Sequence, residues 1–276
     1  MAKLAHNAYG KSDVRVTKVV RHGDGGGRHD LLELSVNIQL EGAFEKSYLS
    51  GDNSQIVATD TMKNTVYALA KKLTIESIEG FARDLGRHFV ERNSHVTSAV
   101  VAIEEHRWNR IGAVAFEGSS REVRTTVVKT SRKCVEVTSG LDGLLVLKTT
   151  DSGFVGFLRD EYTTLPEVTD RIFATVVKAE WRYTQMPADA NAAHAKARGA
   201  MLEVFAGHKS LAVQQTLFAM GEAVLKVVPE VEAVTITMPN KHRIPANLKA
   251  LGLEFEGDVF VTTEEPFGEI SGTVER

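Results

Sequence analysis

Leu34-Ser35-Val36-Asn37-Ile38-Gln39-Leu40 alternates apolar and polar side chains at every step. That period of two belongs to a strand with one buried face and one wet face. Upstream, Val14 to Arg21 reads as a second strand, and Asp24-Gly25-Gly26-Gly27 lies between the two. The chain is therefore expected to open as an antiparallel hairpin with a flexible turn. The glycine run is not a phosphate loop, because it lacks the Gly-Lys-Ser/Thr ending and no helix follows it. Downstream the period changes. Thr59-Asp60 is a helix-start signal, and Met62, Val66, Leu69, Ala70 and Leu73 follow at helical spacing. A second helix is expected from about Ser77 to Arg92, with Ile78, Phe81, Ala82, Leu85 and Phe89 on one face. Two strands follow, Val96 to Ile103 and roughly Val123 to Val137.

The same order then recurs. Leu144 to Lys148 and Arg171 to Tyr183 read as strands, Ala192 to Phe205 and Ser210 to Val228 as helices closed by Gly207 and Pro229, and Val231 to Met238 as a strand. His95-Val96-Thr97-Ser98-Ala99-Val100 and Glu230-Val231-Glu232-Ala233-Val234-Thr235 each follow an amphipathic helix. The pattern implies an α+β fold of two similar units, 1–137 and 138–276, each an antiparallel four-stranded sheet with two helices on one face. Unclosed sheet edges need partners, and closing several such sheets into an oligomeric barrel would supply them. A symmetric homo-oligomer is the physical expectation.

Composition narrows the function. With 276 residues and 43% hydrophobic content the chain can fill ordinary cores. Its net charge of −3 leaves no basic excess for a phosphate backbone, which excludes nucleic acid as the expected partner. No apolar run is long enough to span a bilayer, and Met1 to Lys11 has no secretory signature, so a cytoplasmic enzyme acting on a small molecule is expected. Cys134, the single cysteine, is placed in a strand-like segment as a structural thiol. The nine histidines form no His-x-His or HExxH motif, and there is no Cys pair and no GxGxxG. No metal and no cofactor is expected.

Tyr9-Gly10-Lys11, Asp52-Asn53-Ser54, Val57-Ala58-Thr59-Asp60-Thr61, Lys63-Asn64-Thr65, Leu147-Lys148-Thr149-Thr150, the run Gly156 to Leu165 and Pro239-Asn240-Lys241-His242 occur in that order along the chain. Together they resemble the uricase family. The resemblance implies the tunnelling fold, two tandem T-fold units per subunit in a homotetramer that encloses a barrel. It also implies cofactor-free oxidation of urate by O2 to 5-hydroxyisourate and H2O2, in sites shared between the first unit of one chain and the second unit of its neighbour.

Urate is a flat purine anion with several polar edges. It needs a stacking face, a cationic fork and an amide partner. Phe154, Arg171 and Gln214 match the family's residues for these roles, with Val213 lending a backbone amide and Leu165 packing at the ring edge. Taken alone, each has a plainer alternative: a core phenylalanine, a surface ion pair with Asp170 or Glu167, and a solvated helix residue. Lys11 and Thr59 match the catalytic pair that draws a proton from urate, and Asp60 offers its backbone to the ligand. Lys11 alone could simply be solvated, and Thr59 alone could cap a helix. The expected helix start at Thr59-Asp60 also favours an anion through its free N–H groups. Asn240 with Thr59 matches the pair that holds dioxygen, and His242 is either a proton relay with Lys11 or a structural histidine. Two other readings stay open: a pterin-handling enzyme of the same fold, and a non-catalytic purine-binding scaffold. The chain ends Thr273-Val274-Glu275-Arg276, without a Ser-Lys-Leu address.

Overall fold

The structure is a computed structural model that describes residues 2–22 and 27–276, apart from the side chains of 119 and 120. The turn expected at Asp24 to Gly27 falls mostly outside the described residues. The elements in chain order are β1 (Tyr9–Arg21), β2 (His29–Gly42), α1 (Glu45–Ser50), α2 (Thr59–Lys72), α3 (Ile78–Arg92), β3 (Val96–Arg110), β4 (Phe116–Ser131), β5 (Val135–Lys148), β6 (Phe173–Tyr183), α4 (Ala190–Gly207), α5 (Val213–Val227), β7 (Val231–Pro239), β8 (Arg243–Pro245), a short 3-10 turn, β9 (Phe260–Thr262) and β10 (Glu269–Glu275). The chain divides into two compact units, residues 1–141 with 182–192, and residues 142–181 with 193–276.

In the first unit β1, β2, β3 and β4 lie side by side in that order, all antiparallel, with α2 packed on β1 and α3 on β3 and β4. The alternation read from Leu34 to Leu40 is real: Leu34, Val36, Ile38 and Leu40 are fully buried, as are Met62, Val66 and Leu85 of the helices, with Phe81 and Phe89 nearly so. Ser77 caps α3 by accepting a hydrogen bond from the Gly80 amide at 3.1 Å. Within this core Glu79 is fully buried. It accepts hydrogen bonds from the Ser139 hydroxyl at 2.6 Å and from Arg124 Nη2 at 2.7 Å. Arg124 also donates to Asn191 Oδ1 at 2.6 Å.

One strand needs correction. The stretch Val123 to Val137 is not continuous: β4 ends at Ser131, and Arg132 to Cys134 turn the chain into β5. The Ser131 amide donates to Cys134 O at 2.9 Å, and Arg132 donates to the carbonyls of Val90, Asn93, Ser94 and Val96. Cys134 is thus an exposed turn residue.

In the second unit β6, β7 and β10 are neighbours, and α5 packs on β7 and β10. Helix α4 covers β6 through Phe205 against Phe173 and His194 against Trp181, with ring centroids 5.3 and 5.5 Å apart. The strands β8 and β9 form a separate two-stranded hairpin.

A charge buried this deeply is tolerated only while paired. Replacing Arg124 by Leu leaves Glu79 without its cation and is expected to destabilise the protein by about 3–5 kcal/mol, measured by urea denaturation.

Candidate active site

The second unit builds a cavity from its loops. Residues 151–154 are held on two sides by main-chain hydrogen bonds. The Phe154 amide donates to Val168 O at 2.7 Å, Val168 returns the bond at 3.1 Å, and the Arg171 amide donates to Ser152 O at 2.7 Å. On the other side Gly153 donates to Ser210 O at 2.8 Å and Ser210 to Asp151 O at 2.9 Å. Position 153 must be glycine, because a Cβ there would lie 2.9 Å from Thr169 O. This pairing fixes Phe154 relative to Arg171, and brings both within a few residues of the start of α5, where Val213 and Gln214 are the first two residues.

Asp170 strengthens the same arrangement. Its carboxylate accepts the Thr150 hydroxyl at 2.8 Å and faces the amides of Ser152, Asp151 and Arg171. The Thr150 hydroxyl, more than these amides, holds the Asp170 carboxyl below the usual carboxylate range despite some desolvation. Lys148 reaches the carbonyl of His208 and lies 5.8 Å from the Phe205 ring. Burial pulls the Lys148 and His208 pKa values down.

Phe154, Leu165, Arg171 and His242 line one cavity of about 680 Å³, together with apolar groups such as Ile244, Phe255 and Phe260. The Arg171 guanidinium carbon sits 5.6 Å from the Phe154 ring centroid, and half-burial lowers the Arg171 pKa from the usual arginine value. Neither Asp170 nor Glu167 engages its guanidinium: Asp170 holds the backbone, and Glu167 accepts from the Gly156 amide at 3.0 Å. Phe157 stacks on Phe154 with centroids 4.9 Å apart and planes at 8°. Nothing in the spacing Phe154-Val155-Gly156-Phe157 signals this contact, because the stretch is not helical.

Asn240 pairs with Thr175 in an isolated β-bridge, and its backbone amide donates to Gly268 O at 2.8 Å, which fixes the strand end that carries it. Asn240 Nδ2 lies 3.4 Å from His242 Nδ1. The two side chains are therefore within hydrogen-bond reach of each other. Val213 is buried and Gln214 is exposed at the head of α5; neither lines the cavity within this chain.

The remaining three residues lie in the first unit. Thr59 and Asp60 are the first two residues of α2, and the helix cap is Ala58, whose side chain makes no capping bond. Thr59 is therefore not a cap. Its side chain is exposed at a helix start where the cap residue supplies no side-chain acceptor. Asp60 is held by Lys63 at 2.5 Å and Asn64 at 2.9 Å, and these, Lys63 first, keep its carboxyl below the usual range. Lys11 adds to that effect, which places its charge near the helix start. Among the described residues no three His, Cys, Asp or Glu side chains gather as a metal-binding group.

Known proteins match this chain along its length. The sequence model of the uricase family matches residues 7–134 and 137–271. The uricase of Dictyostelium discoideum is 41% identical over 285 residues, covering 100% of this chain and 98% of its own length. The crystal structure of uricase from Arthrobacter globiformis is 42% identical with a TM-score of 0.96, covering 100% of this chain and 96% of that one. The urate oxidase structure from Bacillus sp. TB-90 is more distant, 26% identical with a TM-score of 0.84, covering 98% and 100%. The chain therefore belongs to the uricase family and carries its tunnelling fold in tandem α+β units.

Proposed function

We propose that the protein is a urate oxidase that joins urate, dioxygen and water to give 5-hydroxyisourate and hydrogen peroxide, as part of purine degradation. The observation that carries the reading is the cavity of the second unit, where the main chain fixes a phenylalanine face beside a half-buried arginine with which no carboxylate among the described residues forms an ion pair. A flat anion fits this pair: the ring stacks on Phe154, and the planar guanidinium of Arg171 gives two parallel hydrogen bonds to a carbonyl and a ring nitrogen. Gln214 and the Val213 amide take the opposite edge, and Leu165 closes one side.

Urate must lose a second proton before it reduces oxygen readily. Lys11 takes that proton through the Thr59 hydroxyl, and the Asp60 amide contributes to the ligand's polar edge. Asn240 and Thr59 hold dioxygen above the ring. Two electrons pass from urate to dioxygen, two protons complete H2O2, and water supplies the hydroxyl of the product. His242, held beside Asn240, relays protons toward Lys11. Four copies assemble so that Lys11, Thr59 and Asp60 of one chain face Phe154 and Arg171 of its neighbour. The tandem units 1–137 and 138–276 are the two contributors.

The direct test mixes the purified chain with urate in air. Loss of the ultraviolet band of urate with one H2O2 per urate is expected; tight binding without loss would instead mark a scaffold. Lys11→Met should lower kcat by roughly a hundredfold or more, with a small change in KM, because a general base is worth about 10²–10⁴ in rate. Arg171→Ala should raise KM by about tenfold or more. Asp170→Asn, which loosens the loop carrying Phe154, should raise KM several-fold with little change in kcat. The pH dependence follows from the same carboxylate. Its folded pKa lies below the ordinary value of 3.8, so the anchor is complete above that value and is lost only as pH falls through the lowered one. KM for urate should therefore show no Asp170-linked rise between neutrality and about pH 5.

A further inference from the structure

Tyr9 lies two residues before Lys11 on β1, and its hydroxyl holds both backbone groups of one residue in the segment entering α2. The Val57 amide donates to the Tyr9 oxygen at 2.7 Å, and the hydroxyl donates to Val57 O at 3.2 Å. Val57 is two residues before Thr59. The ring is fixed in turn, meeting Phe44 edge-on with centroids 4.8 Å apart; Phe44 is 1% exposed and meets His95 at 5.7 Å. Burial pushes the Tyr9 hydroxyl pKa up, which keeps it a donor throughout the neutral range.

Strand pairing gives Tyr9 and Lys11 a common face. They pair with Leu40 and Ile38, which are fully buried and point toward the helices. The far end of α2 is tied to the same strand: Lys18 donates to Ala70 O at 2.6 Å and Leu73 O at 2.5 Å. The helix thus has two tethers to β1. The one at Lys18 is remote from Thr59, and the one at Tyr9 stands next to it.

We infer that Tyr9 is a positioning residue for the Lys11 and Thr59 pair, setting the height and rotation of the α2 start against the strand that carries Lys11. The inference rests on the proton-transfer reading of that pair. Misplacing reacting groups by about 1 Å can cost a hundredfold in rate, so a lost tether at this point registers in turnover before it registers in binding. Phenylalanine keeps the ring and its contact with Phe44 but leaves the Val57 N–H and C=O without their partner.

The test is a double-mutant cycle on the full chain, following kcat, urate KM and thermal midpoint for Tyr9→Phe, Lys11→Met and the pair, with Lys18→Met as the control that frees the other end of the helix. Tyr9→Phe should lower kcat by roughly tenfold or more while KM changes less than about twofold. In the Lys11→Met background the same change should cost less than about twofold. Lys18→Met should lower the thermal midpoint and leave kcat near that of the parent. An equal loss in both backgrounds, or a parental rate for Tyr9→Phe beside a slow Lys11→Met, overturns the role of Tyr9 alone. A parental rate for Lys11→Met overturns the proton-transfer reading and the inference with it.

Discussion

Between Lys11 and Val14 strand β1 carries one residue more than its partner: Lys11 pairs with Ile38, and Val14 with Val36. Three steps on one strand answer two on the other, a β-bulge. Asp13 takes the left-handed conformation, φ 52°, and its amide is received by Asn37 Oδ1 at 2.8 Å. Aspartate tolerates that conformation better than most side chains. Strict alternation would send Lys11 and Val14 to opposite faces of the sheet. The bulge lets Tyr9, Lys11, Val14, Val16 and Lys18 all face the helices. Val14 and Val16 fill the core at 3% and 8% exposure, and the polar members of the series reach the two ends of α2. Gly10 permits the close approach, since a Cβ there would fall 1.7 Å from Ile38 O. One extra residue thereby serves both the packing of the first unit and the placement of its lysine.

The second unit solves a different problem, how to present a cation and an aromatic face from loops. Its answer is backbone pairing, with 151–154 bonded to 168–171 and to Ser210, and one carboxylate gathering the loop amides. Because Asp170 is occupied with the backbone, the neighbouring Arg171 guanidinium stays available for an anion. The first unit contributes a helix start with uncapped N–H groups. Each unit supplies what the other lacks, and in the proposed assembly they meet across a subunit boundary.

Much of this was legible in the residues. The Leu34 to Leu40 alternation, the helix beginning at Thr59 and the helix capped by Ser77 follow from period and capping chemistry, which act locally. Phe154, Arg171, Asn240 and His242 are identified through motif resemblance, and their gathering depends on hydrogen bonds between segments far apart in sequence. The misreadings have separate physical causes. The turn at Arg132 to Cys134 contains no glycine or proline, so its β-branched flanks read as one strand; a side chain, Arg132, stabilises it by filling nearby carbonyls. The bulge at Asp13 and the two-way hydrogen bond of Tyr9 are tertiary choices with no periodic signal. The short strands β8 to β10 escaped notice because Arg243 to Pro245 and Phe260 to Thr262 are three residues each, and β10 mixes glycine and polar residues.

The central claim is that Lys11 and Arg171 act on the same urate from different chains. Subunit complementation tests it most directly, by coexpressing Lys11→Met and Arg171→Ala chains and isolating the mixed oligomers. If the site is shared, some interfaces in the mixture join two unmutated halves, and urate oxidation returns well above that of either variant alone. Mixed oligomers no more active than the separate variants would contradict the account.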